Sequence, residues 1–299
     1  LVLTSNQNAY CEYCFLHSDK LNIKNVTIQH GFTTGFSNLG PPSPEYMRRG
    51  SDNYNYFVFS KPIAEFQEKQ KKIFSSHLNF YSTGSASSLK HLDKKNKKII
   101  NRKTINVCYV FGDITSDTKF HRGRYSDILQ YKFISNLVDK FSKQKNIHFY
   151  IKCGYSVESE IPNLLNKIKN IPNISIISST KLLSKKIHNM DLFIISNLST
   201  PLREILATNK SLLIYQNNST RDETSIFNEL LDKRATVIEN MKDLNRYLDD
   251  FIIQGRNSKI LSELKSNNNI FFNTYCLEED SDPVLNIENN IHNLLNKNQ

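Results

Sequence analysis

Asp191-Leu192-Phe193-Ile194-Ile195-Ser196-Asn197-Leu198-Ser199-Thr200-Pro201-Leu202-Arg203-Glu204-Ile205-Leu206 passes from an unbroken apolar run through a polar turn into a helix. A short run with no polar alternation suits a strand covered on both faces, the habit of parallel sheets. The strand ends at Ser196, hydroxyls follow at Ser199 and Thr200, and Pro201 opens the helix where a missing N–H does least harm. The same alternation repeats on both sides. Predicted strands at Ile105–Phe111, Ile147–Cys153, Ile174–Ser178, Leu212–Tyr215 and Thr236–Ile238 are separated by helices. The intervening helices include one through Ile128, Leu129, Phe133, Leu137, Val138 and Phe141, one over Glu160–Ile168 and a short one at Leu182–His188. Five or six βα units in series predict a doubly wound domain.

Upstream, Val26-Thr27-Ile28-Gln29-His30-Gly31-Phe32-Thr33-Thr34-Gly35 has the same logic. A buried strand runs into a histidine and a glycine, and side chains just past strand ends face the crevice where open α/β sheets bind ligands. His30 is therefore placed for a general base, imidazole being the group whose ordinary pKa suits that work near neutrality. The residues fit a second account equally, in which His30 caps the strand and bonds a loop. Further strands are predicted at Leu1–Thr4, Tyr56–Ser60 and Leu78–Tyr81. The last runs into Ser82-Thr83-Gly84-Ser85, and a helix starts at Lys61-Pro62 with Ile63 and Phe66 inward.

Lys90, Lys94, Lys95, Lys97, Lys98, Arg102 and Lys103 mark a linker with almost no apolar periodicity. They predict an acceptor-side domain over residues 1–100, a donor domain over 104–275 and a helical tail over 276–299. A chain of 299 residues is comfortable for two domains of about 100–200 residues each. Its first residue is Leu1, so a missing front part is expected.

The net charge is +10 and the pI about 9.2, a balance that favours anionic partners without choosing among phosphates, nucleic acid and acidic membranes. No aromatic residues interleave with the linker lysines to stack on bases, which argues against nucleic acid. No run reaches the ~18 apolar residues of a spanning helix. Cys11, Cys14, Cys108, Cys153 and Cys276 suggest a reducing compartment, hence a cytoplasmic protein. The Cys11–Cys14 spacing lacks the second pair that a zinc site needs.

The strand ending in Gln29-His30-Gly31 and the segment Ser199-Thr200-Pro201-Leu202-Arg203-Glu204-Ile205-Leu206-Ala207-Thr208-Asn209-Lys210 together resemble the GT-B glycosyltransferases. The closest likeness is to bacterial surface-carbohydrate (O-antigen) transferases and the CDP-glycerol glycerophosphotransferase and polysialyltransferase group. The resemblance implies two Rossmann-like domains with parallel sheets, the first truncated. It also implies inverting, metal-independent transfer with no cofactor beyond a nucleotide-activated donor. His30 becomes the catalytic base candidate, and Ser199, Thr200 and Glu204 become donor contacts. Gly112, Arg122, Arg124 and Lys152 join the donor side by position and charge, and Gln29, Gly31 and Gly84 fall on the acceptor side. The implied partners are a nucleotide sugar or CDP-activated donor, a glycan or lipid-linked acceptor, and an anionic membrane at the inner face of the cell membrane. A nucleotide-sugar epimerase and a non-catalytic sugar-nucleotide-binding module share the architecture, and nucleic-acid binding is the alternative from charge alone.

Overall fold

In the computed structural model the described residues are 2–4, 17–18, 20–29, 54–73, 78–86, 103–111, 127–154, 162–196, 198, 200–216, 225–262, 270–278 and 282–296. Spatial contacts divide the chain into two units. The first comprises Leu1–Leu92, Glu223–Asn228 and Asn269–Gln299, and the second Asp93–Asp222 and Glu229–Asn268.

The first unit holds a parallel sheet of β1 (Val2–Thr4), β2 (Asn25–Ile28), β3 (Tyr54–Val58) and β4 (Asn79–Ser82), in that spatial order. β3 begins two residues earlier than the predicted Tyr56–Ser60. Asn55, which reads as loop, lies buried inside the strand. It survives there because its amide donates to the Asn25 carbonyl at 3.1 Å and its oxygen accepts from Asn79 at 3.4 Å. The Ser18 hydroxyl completes the polar row by donating to the Asn25 side chain at 2.5 Å. Buried amides need such partners, and here they tie the amino ends of three strands together.

α1 (Lys61–Ile73) follows β3 and buries Ile63. On one sheet face Val26 and Phe57 pack against Leu294, Ile287 and Ile291. Those three belong to the helix over residues 283–296, which follows the second unit in sequence but groups with this first sheet. A shorter helix over residues 270–276 buries Phe271, Phe272 and Tyr275, with Phe271 edge-on to Phe227 at 5.0 Å. Sequence reading assigns no element to this stretch.

The second unit is a six-stranded parallel sheet: β5 (Ile105–Val110), β6 (Ile147–Lys152), β7 (Ile174–Ile177), β8 (Leu192–Ile195), β9 (Ser211–Tyr215) and β10 (Thr236–Ile238). The spatial order β10-β9-β8-β5-β6-β7 is the doubly wound arrangement with its reversal between β5 and β8. Helices α2 (Asp127–Phe141), α3 (Pro162–Lys169), α4 (Thr200–Leu206), α5 (Ser225–Arg234, whose residues up to Asn228 group with the first unit), α6 (Met241–Gln254) and α7 (Lys259–Ser262) accompany it. The two helices of the first unit that close the chain are α8 (Ile270–Cys276) and α9 (Pro283–Asn296).

Under α2 and α6 the sheet buries Val107, Tyr109, Phe149, Ile151, Ile194 and Leu213. On α2 the inward phase is Gln130, Phe133, Ile134, Leu137, Val138 and Phe141, so the predicted Ile128 and Leu129 point outward. Their apolar character was misread as core because Gln130, one residue on, holds the inward position. α6 follows the 3.6-residue period with Leu244, Leu248 and Phe251. Asn240 caps it by accepting from the Asp243 N–H at 2.9 Å, and Gly255 ends it at φ +57°. The predicted helix at 182–188 resolves into two 3₁₀ turns, Leu183–Lys185 and Ile187–Asn189. Arg234, buried, closes α5 by donating to the Thr208 and Lys210 carbonyls at 2.7 and 3.0 Å.

Gly84 sits past β4 at φ +78°, where a Cβ would come within 2.8 Å of the Pro283 ring at the start of α9. Both the backbone conformation and the close approach require glycine. Gly84→Ala is expected to destabilise the protein by about 1–3 kcal/mol, the usual cost of a non-glycine residue held in that region. Urea unfolding checks this: the midpoint falls while the slope stays unchanged.

Candidate functional site

In the second sheet the carboxyl ends of β5 and β8 diverge into the crevice that a doubly wound fold opens at its reversal. β5 leads to the buried Phe111, whose N–H donates to the Lys152 carbonyl at 2.9 Å, so the ends of β5 and β6 are laced together. β8 leads to Ser196, whose hydroxyl lies 2.8 Å from that of the fully buried Tyr109. This bond fixes the last residue of β8 just before the turn into α4. Sequence reading gave Tyr109 no role. A lone tyrosine in a buried strand, needing a partner for its hydroxyl, was the available signal.

α4 begins at Thr200, with Leu202, Ile205 and Leu206 fully buried, and just past its end the Thr208 hydroxyl donates to the Ile205 carbonyl at 2.7 Å. That inward packing holds Glu204 half-buried. One carboxylate oxygen, Oε2, is sequestered with no hydrogen-bond partner. Burial pushes the Glu204 carboxyl above the ordinary glutamate range, opposed by the positive charges of Arg203 and Lys152. The Lys152 ammonium donates to the carbonyls of Cys153, Ser178 and Ser179 at 2.9, 3.0 and 3.3 Å. These three bonds match its three N–H donors. Its charge thus reaches the crevice while its protons pin the turn after β7.

Of the predicted donor residues, Lys152 and Glu204 come together electrostatically in this unit. Thr200 starts α4. Gly112, Arg122, Arg124 and Ser199 lie outside the described residues, as do His30 and Gly31. In the first unit Gln29 is buried: its N–H donates to the Phe57 carbonyl at 2.8 Å and its Oε1 accepts from the Phe59 N–H at 3.0 Å. It extends the β2–β3 ladder past the strand ends. Gly84 packs against Pro283, and beside it the Ser82 hydroxyl donates to the Glu278 carboxylate. Among the described residues no group of three or more His, Cys, Asp or Glu side chains is placed to hold a metal ion, and no helix is long and apolar enough to cross a membrane.

Neither a protein-family model nor a curated protein matches the sequence. Solved structures match its shape. The pneumococcal O-GlcNAc transferase GtfA, determined with UDP and GlcNAc, matches 96% of this chain at a TM-score of 0.53 and 9% identity. The wall teichoic acid polymerase TagF matches 93% of the chain and 70% of its own at 0.53 and 12% identity. A putative UDP-N-acetylglucosamine 2-epimerase from Listeria monocytogenes matches 99% of the chain and 75% of its own at 0.54 and 10% identity. The fold is that of the GT-B glycosyltransferases. The chain spans about half the length of several of the structures it matches, 55% of GtfA among them.

Because the Glu204 pKa is raised on folding, the native state binds its proton more tightly than the unfolded chain does. Ionised Glu204 therefore costs stability above its folded pKa, and the cost vanishes below the unfolded value of ~4.3. Glu204→Gln is expected to raise the melting temperature at neutral and alkaline pH, with the difference closing as pH falls below that value. Paired thermal melts across the acid range check it, and a gap independent of pH would contradict it.

Proposed function

We propose that this chain transfers a glycosyl or polyol-phosphate group from a nucleotide sugar or CDP-activated donor to a surface-polysaccharide acceptor, either a glycan or a lipid-linked precursor, at the inner face of the cell membrane. The observation that supports it most is the crevice of the second sheet, where half-buried Glu204 meets the charge of Lys152 in a chain of GT-B fold. A carboxylate with one sequestered oxygen is suited to accept hydrogen bonds from ribose hydroxyls through the other. The hydroxyls of Ser199 and Thr200 add donor contacts.

In this reading His30 takes the proton from an acceptor hydroxyl as that oxygen forms its bond to the donor carbon or phosphorus. The bond to the leaving nucleotide phosphate breaks in the same displacement. Arg122, Arg124, Lys152 and the Gly112 N–H stabilise the leaving charge, so no metal is required. Gln29 and Gly84 serve the acceptor side by holding the strand ends, with Gly31 giving close approach beside His30. A second reading, nucleotide-sugar epimerisation, is favoured by the TM-score of 0.54 to the Listeria protein. The two separate by acceptor dependence: an epimerase consumes the nucleotide sugar alone, whereas a transferase turns over only when an acceptor is added. Binding without either reaction is the mark of a sugar-nucleotide-binding module.

Calorimetric titration with CDP, UDP, GDP and CMP tests the donor site. His30→Ala should lower turnover by roughly 10²–10⁴-fold with nucleotide affinity unchanged, the pattern of a group acting in the transition state. Glu204→Ala should weaken nucleotide binding by about 1–3 kcal/mol. A His30→Ala protein that melts early but keeps its activity per folded molecule rules out the base role.

A further inference from the structure

Between Glu160 and Asp191 the sequence contains no acidic residue, while it carries Lys167, Lys169, Lys181, Lys185 and Lys186. This stretch forms α3, β7 and the two 3₁₀ turns, and β7 is an edge strand of the second sheet. α3 packs on one face of that edge through Leu164, Leu165 and Ile168, which join the core with Phe149 and Ile151. The 3₁₀ turns lie on the other face, where Lys186 sits 5.6 Å from the centre of the Tyr150 ring.

Elsewhere in this unit four cations are matched with acids, Lys233 with Glu229, Arg246 with Asp243, Arg256 with Asp191 and Lys140 with Asp249, while the exposed Lys132, Lys143, Lys145 and Lys242 are scattered rather than clustered on one edge. Among the described residues none of the five lysines at the β7 edge is paired with a carboxylate. Lys186 acts inward as well: the His148 imidazole is lowered by burial and then by that ammonium. In the middle of these charges Leu182 is 63% exposed, next to Lys181, while Leu183 and Ile187 turn inward. An apolar tip ringed by unpaired ammonium groups has a fixed physical complement: negative phosphates over a hydrocarbon layer.

We propose that the β7 edge, with Leu182 inserted and Lys181, Lys185 and Lys186 on the headgroups, docks the protein on an anionic phospholipid surface. The inference deepens the proposed function by naming the membrane-facing residues, and it rests on that reading for its purpose only. Base-stacking aromatics are absent from the tip, since Tyr150 lies beneath Lys186, so a lipid surface suits these residues better than nucleic acid.

The test is sedimentation of the whole chain with vesicles of phosphatidylcholine, with and without phosphatidylglycerol, at physiological salt. The expected result is binding only to the anionic vesicles. Replacing Lys181, Lys185 and Lys186 together by Gln should weaken it about 100-fold, at about 1 kcal/mol per lysine. Leu182→Ser should weaken it about tenfold while leaving its salt dependence unchanged. The triple Arg variant, which keeps the charge, should bind like wild type, so a folding defect in the Gln variant does not pass for a loss of contact.

Nucleotide affinity is measured on every variant. Unchanged nucleotide binding with lost vesicle binding supports the proposal. A Gln variant that keeps its vesicle binding but loses nucleotide overturns it, as does equal binding to neutral vesicles, or tight salt-sensitive binding to RNA with none to lipid. A wild type that binds anionic vesicles yet no nucleotide upholds this surface and removes the transferase reading.

Discussion

A strand covered on both faces leaves polar chemistry only one exit, its end. β5 is buried along its whole length and β8 likewise, so the sheet offers a ligand nothing until the backbone passes Val110 and Ile195. There the strand order reverses, neighbouring connections leave in opposite directions, and a crevice opens without any side chain being sacrificed from the core. The Tyr109–Ser196 bond converts this topological gap into a fixed position. It anchors the end of β8 from within the hydrophobic layer, so the turn into α4 starts from a defined point.

Glu204 inherits its burial from the same arrangement. Leu202, Ile205 and Leu206 drive α4 onto the sheet, and the helix period then carries Glu204 partway under. A carboxylate on a longer, freer turn would be better solvated and less able to distinguish one hydroxyl from bulk water. The price is a half-buried carboxyl with one oxygen unpartnered among the described residues, the kind of local inconsistency that otherwise well-matched sequences keep at sites of use.

The second unit was legible because its strands are continuous apolar runs and its helices obey a clear period, as in Leu244, Leu248 and Phe251. Legibility failed where polarity and burial part company. Asn55 reads as loop but forms a buried rung, since hydrogen bonds to distant Asn25 and Asn79 are invisible in a local window. Ile128 and Leu129 read as core because side-chain type says nothing about helix phase, which Gln130 and Phe133 decide. For the candidate site, residue type and position make Glu204 and Lys152 candidates, and the structure links the two through charge alone. The lacing of Lys152 onto three carbonyls depends on the turn after β7 folding back, and nothing in the sequence announces it.

The first unit is discontinuous in the chain: its sheet and α1 lie before residue 92, and α8 and α9 lie beyond 269. Among the described residues the helix that covers Val26 and Phe57 is α9, so this contact forms only after α9 has been synthesised. The segments of the second unit are complete before α8 and α9 emerge from the ribosome, so that unit has all its parts while the first still lacks these two helices. Until then the early strands must wait with an apolar face uncovered and Gly84 without the proline it was shaped to meet.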